Sequence, residues 1–354
     1  MKKLLSVVIV LCALMSIIQF PVSAATLDNG LMYVIKDGEA TISNYVGKAA
    51  EVVIPAKIDG YPVTAIGGRA FADKNFIKKV TLPDGIKTIG PNSFYYCVIL
   101  EEINLPDSVT YIADGAFWGC HSLKEITFPS SLQYIGSSFG ECVSLEKIVI
   151  PDSVKSINVA AFYDCRSLKE VTLSNSLKKL QTQVFEYCSS LEYIELPDKL
   201  TAINECAFDG CSALKRIVIP DSVTTIGNGA FSECTSLVEV ALPKGLTALP
   251  VNVFNDSGIK TITIPASVTH IAENAFYNCD ELFAVFYMGT PEQWEAISPF
   301  LSRRVTVYFP NFEEEPEKIT LKAIMQEFYK TRCLWKAKQL MKTSRAVLRL
   351  HPDF

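Results

Sequence analysis

Ten phenylalanines recur at almost constant spacing: Phe71, Phe94, Phe117, Phe139, Phe162, Phe185, Phe208, Phe231, Phe254 and Phe276. The steps are 23 residues, with two of 22. A fixed period of this length marks one small unit stacked many times, so the chain folds as a repeat solenoid. No single unit can bury its apolar face alone, and stacking makes the core continuous.

The unit follows L-x-x-I-x-[LIF]-P-x-x-[VL]-x-x-I-[GAN]-x-x-A-F-x-x-C, as in the run from Leu123 through Ile126, Phe128, Pro129, Leu132 and Ile135 to Gly136. Apolar residues at the first, fourth and sixth places, with polar ones between, read as a short strand with one buried face. Proline follows at Pro55, Pro83, Pro106, Pro129, Pro151, Pro197, Pro220, Pro243 and Pro265, and Ser174 breaks the column. Proline cannot donate to a ladder, so it ends the strand and turns the chain. A second apolar stretch follows, as at Val223 and Ile226, and the Ala-Phe-x-x-Cys segment closes the turn. About ten coils with strands about 4.8 Å apart predict a parallel sheet roughly 50 Å long.

This pattern resembles the 23-residue, treponemal-type leucine-rich repeat of BspA-like bacterial surface proteins, over about residues 30 to 297. The flanks agree. Tyr33 to Gly47, with Asp37-Gly38 suited to a tight turn, is similar to the family's N-terminal hairpin. Ile58 to Gly67 resembles its first coil, and Tyr287 to Ile297 the segment that closes the array. The expected organisation is a hairpin cap over 25–50, leucine-rich repeats with short parallel strands over 51–297, a closing strand over 298–310, an acidic linker over 311–317 and a basic helical tail over 318–354.

The chain opens with Lys2-Lys3, an apolar run from Leu4 to Phe20, and Val22-Ser23-Ala24. Those features describe a signal peptide over 1–24 cleaved after Ala24, and so a secreted or cell-surface protein. No Leu-Pro-x-Thr-Gly anchoring signal is found, which leaves attachment to the cell open.

The formal charge of −5 hides an asymmetry. Residues 25–317 carry 22 basic and 36 acidic side chains, a net −14, whereas 318–354 carry nine and two, a net +7. An acidic body excludes nucleic acid as the partner, because phosphate binding needs clustered Lys and Arg. Successive coils read Lys78, Glu101, Lys124, Glu146, Lys169, Glu192 and Lys215 at the second place. This alternation suits cross-strand pairing along the surface. In the tail, Leu321, Ile324, Phe328, Leu334, Met341 and Leu348 fall near helical spacing. One or two basic amphipathic helices would lie against envelope polymers or lipid, or dock on the acidic solenoid.

Eight of eleven cysteines share one repeat position: Cys97, Cys120, Cys142, Cys165, Cys188, Cys211, Cys234 and Cys279. Export permits disulfides, but the spacing comes from the repeat, and each position doubles as a small buried residue, so free thiols are expected. His121, His270 and His351 are scattered and no zinc spacing is found, so no metal or cofactor is assigned. Gly136-Ser137-Ser138-Phe139-Gly140 matches the G-x-S-x-G elbow, yet it falls on the repeat's own turn rather than between a strand and a helix. The chain reads as no enzyme.

Specificity in a solenoid lies in the singular side chains of regular columns. Tyr95, Trp118 and Tyr163 follow the repeat phenylalanine, and Tyr111 and Tyr134 precede the second isoleucine, all in the N-terminal half. They read either as a ligand-binding patch or as the edge of the core packed between coils. The resemblance implies a protein-binding scaffold in adhesion to host or extracellular proteins, since family members have been linked to binding matrix proteins and to aggregation between cells. The other reading is a carbohydrate- or envelope-binding surface module, with glycans or cell-wall polymers as ligands.

Overall fold

In the computed structural model, residues 23–310 are described, apart from 298 and 303. The linker and basic tail, and all but the last two residues of the expected signal peptide, lie outside the described residues.

A hairpin starts the stack. Strand β1 (Ser23–Thr26) pairs antiparallel with β2 (Leu31–Lys36), and β2 with β3 (Glu39–Tyr45). Asp37 and Gly38 join the last two at φ 54° and 79°, the left-handed pair that a two-residue turn between twisted strands requires. β3 then pairs in parallel with Tyr61–Ile66, so the hairpin covers the end of the solenoid. Its Tyr45 ring stands 5.5 Å from Phe71 and begins the core.

Each coil has three sides. The first is the strand read from the L-x-x-I-x-L pattern, as at Lys79–Thr81, Lys147–Val149 and Arg216–Val218. From Glu51–Val53 to Thr306–Tyr308 this side has twelve rungs, counting the single bridge at Glu125. The expectation was about ten. The last two rungs, Ala284–Tyr287 and Thr306–Tyr308, lie beyond Phe276, which is why counting phenylalanines misses them. The second side is also a strand, as at Thr88–Ile89, Tyr111–Ile112 and Thr225–Ile226, each parallel to its neighbours.

The third side is a ladder of turns. The amides of Arg69, Phe71 and Asp73 donate to the carbonyls of Pro91, Ser93 and Tyr95 one coil on, at 3.0, 2.7 and 2.7 Å. Those of Asn92, Phe94 and Tyr96 do the same to Asp114, Ala116 and Trp118. Intervening amides bond within the coil, as Ala72 to Arg69. Residues two before and two after the phenylalanine turn left-handed, among them Arg69, Asp73, Asn92, Tyr96, Ala160 and Asp164. That conformation costs about 1–2 kcal/mol for a non-glycine residue, and the inter-coil amide bonds offset it.

Inside, successive phenylalanine rings stack 5.1–5.8 Å apart and within 19° of parallel, from Phe71 to Phe276. The cysteine column lies beside them as free thiols. Each thiol donates to the carbonyl of the phenylalanine one coil back, as Cys188 to Phe162 and Cys211 to Phe185, both at 3.2 Å. A disulfide would remove that donor. Ser174, which breaks the proline column, is buried and donates to the Val154 carbonyl at 2.7 Å.

At the far end Thr290 and Gln293 form a reciprocal capping box at 2.9 and 3.1 Å, with Pro291 at the first helical position. Helix α1 (Pro291–Ile297) sets Trp294 against Tyr287, ring centres 5.1 Å apart. The strand Thr306–Tyr308 then pairs in parallel with Ala284–Tyr287.

Candidate functional site: an aromatic strip on the turn face

The five aromatics singled out in the sequence fall into two groups. Tyr111 and Tyr134 are register partners on the second side, with rings stacked 4.8 Å apart at 12°, and Tyr111 is 41% exposed. Tyr95, Trp118 and Tyr163 stand on the turn face, half-buried. No ring contact joins the two groups among the described residues.

Trp118 stacks on Tyr163 at 5.9 Å and 15°, although a whole coil separates them. The coil between carries Gly140 at the same column position, and a Cβ there would collide with the Trp118 ring. Glycine at this place lets the indole lie across the backbone and reach the tyrosine beyond. The same device recurs one column over: Tyr96 lies over Gly119 and Tyr187 over Gly210. Tyr96 meets Tyr95 at 4.8 Å, and Tyr187 meets Tyr163 edge-on at 5.8 Å. Tyr96 and Tyr187 were not anticipated. Their signal is a tyrosine two places after the phenylalanine, in a column otherwise held by Asp, Glu, Gly and Asn.

Polar groups rim the strip. The Tyr96 hydroxyl donates to Glu141 at 2.7 Å, and that hydrogen bond, with burial, pushes the phenol up to about 12. His121 packs edge-on against Tyr96 and lies 3.9 Å from Glu141. Arg166 forks onto Asp164 at 2.7 and 2.9 Å. Tyr163, Asp164, Arg166, Tyr187 and Ser189 line a shallow cavity of about 330 Å³.

On the first side the charge ladder is realised in part. Lys78–Glu101, Glu146–Lys169 and Glu192–Lys215 pair across coils, as do Lys79–Glu102 and Lys147–Glu170 one place further on. All are solvent-exposed and contribute little each. Lys124 joins no ion pair among the described residues and lines a groove of about 1140 Å³, where the strand row is reduced to the single bridge at Glu125.

The G-x-S-x-G serine is inaccessible. Ser138 is fully buried, and its hydroxyl donates to the Gly136 carbonyl at 2.9 Å. The column thiols are equally enclosed, and burial pushes Cys97 and Cys142 up to about 12. No described helix is long and apolar enough to cross a membrane.

Two parallel strand rows, a turn ladder and a stacked phenylalanine column define a bacterial leucine-rich repeat solenoid. The chain belongs to the BspA type leucine rich repeat region family, which it matches in six copies over residues 45–169 and 155–283. No curated protein sequence matches it. Among solved structures it is similar to a leucine rich cell surface protein of Faecalibacterium prausnitzii, at 25% identity over 78% of this chain and 97% of that one, TM-score 0.46. It is also similar to a T. pallidum leucine rich repeat protein, at 31% identity over 60% and 90%, TM-score 0.47. The pneumococcal vaccine antigen PcpA shares the fold at 20% identity over 84% and 89%, TM-score 0.51.

Proposed function

We propose that the protein is a non-catalytic, protein-binding scaffold at the bacterial cell surface, acting in adhesion to host or extracellular proteins through the turn-face strip. One observation carries this reading: the Tyr95–Tyr96 pair and the Trp118–Tyr163–Tyr187 cluster stand on one face within five successive coils, partly exposed, and rimmed by His121, Glu141, Asp164 and Arg166. Rigid aromatics with polar tips are the side chains that anchor protein interfaces. Trp118 and Tyr163 cover a face of each other, the indole also lies against Gly140, and Tyr187 stands edge-on to Tyr163. Rings covered in this way suit a protein surface better than the open ring face a sugar stacks on. The G-x-S-x-G serine, Ser138, is buried and the column thiols are enclosed, in keeping with a family of repeat proteins.

The test is binding of the full chain to immobilised matrix proteins, glycans and cell-wall polymers at two salt concentrations. Salt-tolerant capture by a matrix protein, weakened at least tenfold by Trp118→Ala, is expected, since a central aromatic anchor is worth about 2 kcal/mol or more. Capture by glycans alone, lost in Tyr111→Ala and kept in Trp118→Ala, would move the site to the second side and make the protein a carbohydrate-binding module.

A further inference from the structure

Past Tyr163 the column that follows each phenylalanine changes character, to Glu186, Asp209 and Ser232. Two carboxylates thus stand on adjacent coils at equivalent positions, in a molecule whose outer ladder alternates in sign. Neither forms an ion pair with a Lys or Arg among the described residues. Glu186 is only 6% exposed; its Oε2 and the Oδ1 of Asp209 are buried without a hydrogen-bond partner. Gln183 hydrogen-bonds Glu186, and Ser232, Cys206 and the Gly210 amide hydrogen-bond Asp209, which leaves those two oxygens and the negative charge unmatched. Directly opposed like charges destabilise a ladder, and a cation between them would relieve it.

A third group points to what it is. Cys206, the one described cysteine outside the thiol column, sits two places before Phe208 at φ 52°. Equivalent places hold Asn92, Gly115, Gly229, Asn252 and Asn274 but also Arg69, Ala160 and Gln183, so the turn ladder sets this backbone whatever the residue. What sets Cys206 apart is where its side chain lies. Its sulfur and one oxygen from each carboxylate all lie within 4.8 Å of one another. Some point lies within roughly 2.8 Å of all three atoms, so side-chain shifts of no more than about 0.8 Å reach the 2.0–2.3 Å of zinc ligation.

We infer that Glu186, Cys206 and Asp209 form a site for one divalent cation of the zinc class, bridging two coils of the solenoid. The donor set decides the class. Calcium and magnesium take oxygen alone, whereas zinc accepts thiolate with carboxylates and completes its tetrahedron with water. Burial holds both carboxyls above their ordinary range, and burial with the neighbouring carboxylates pushes the thiol up to about 12. A bound cation reverses each of these, since it favours the deprotonated ligands.

The experiment strips the full-length protein with a chelator and titrates it with Zn²⁺, and separately with Co²⁺. The expected result is one Zn²⁺ per chain at micromolar Kd or tighter, and a thiolate-to-metal charge-transfer band with Co²⁺. Cys206→Ser removes the band and weakens Zn²⁺ at least about tenfold, and Glu186→Gln and Asp209→Asn weaken it by a comparable factor. In chelator the two carboxamide variants melt at or above the parent, because the like-charge contact is gone; that separates ligand loss from misfolding. Absence of stoichiometric Zn²⁺, or a band and affinity unchanged by Cys206→Ser, overturns the site and leaves the two carboxyls sharing a proton.

Discussion

The phenylalanine stack makes a prediction that depends on position in the array rather than on chemistry. Phe162 is fully buried between Phe139 at 5.6 Å and Phe185 at 5.7 Å. Phe276 has one ring neighbour in the column, Phe254 at 5.8 Å, and is 8% exposed. Truncating a buried phenylalanine to alanine costs about 3–5 kcal/mol, and a stacked aromatic pair is worth about 1 kcal/mol beyond its buried area. Phe162→Ala breaks two such pairs and is expected near 5 kcal/mol; Phe276→Ala breaks one and is expected near 3 kcal/mol. Because coils touch only their neighbours, the interior variant also uncouples the two halves. Urea unfolding followed by far-ultraviolet circular dichroism reads both effects, as a lower midpoint and as a shallower or two-step transition. Equal costs at the two sites, or a loss below about 2 kcal/mol at Phe162 with an unchanged slope, would refute the view that the stack carries the cooperativity.

Alkylation of the chelator-stripped native protein at alkaline pH is expected to modify Cys206, whose thiol is reachable but raised to about 12, and to spare the eight buried column thiols until the chain unfolds, as peptide mass spectrometry would show. Cys188→Ser keeps a donor for the Phe162 carbonyl and should cost no more than about 1 kcal/mol, whereas Cys188→Val strands that carbonyl and should cost about 1–3 kcal/mol by thermal unfolding. Gly140→Ala drives a Cβ into the Trp118 ring and should cost about 1–3 kcal/mol, with loss of matrix-protein capture in the same binding assay. Lys147 holds the Glu170 carboxyl, and Lys215 that of Glu192, below the usual range through hydrogen bonds and charge. Their stabilisation is present above the unfolded carboxylate pKa and is lost as pH falls through the lowered values, so Glu170→Gln should flatten the acid limb of a melting-temperature profile in low salt and change nothing in high salt.

The solenoid was legible because its strongest determinants are periodic: phenylalanine sets the step and proline ends the first strand. The turn face was not. Its left-handed positions are filled by Arg69, Tyr96, Ala160 and Tyr187 as readily as by glycine, since inter-coil amide bonds impose a conformation that local preference does not. The second strand, as at Thr225–Ile226, is two residues long, too short for alternation to register. At the site, the column after the phenylalanine pointed to Tyr95, Trp118 and Tyr163, but which rings touch depended on Gly140 and Gly119, whose effect is spatial. Tyr111 and Tyr134 had equal standing in the sequence and stand on another side of each coil. Glu186 and Asp209 stood in plain view as column neighbours, and only burial shows that they lack counter-charges.

The alternating ladder of Lys78, Glu101, Lys124, Glu146, Lys169, Glu192 and Lys215 bears on how such an array changes length over generations. Unequal recombination adds or drops whole repeats without disturbing the ring stack, so the interior accepts any number. The outer ladder does not. Loss of the single repeat bearing Glu146 would set Lys124 against Lys169, while loss of two adjacent repeats restores opposite neighbours. A change of two coils therefore keeps the alternation and a change of one breaks it, at the small cost of an exposed like-charge contact.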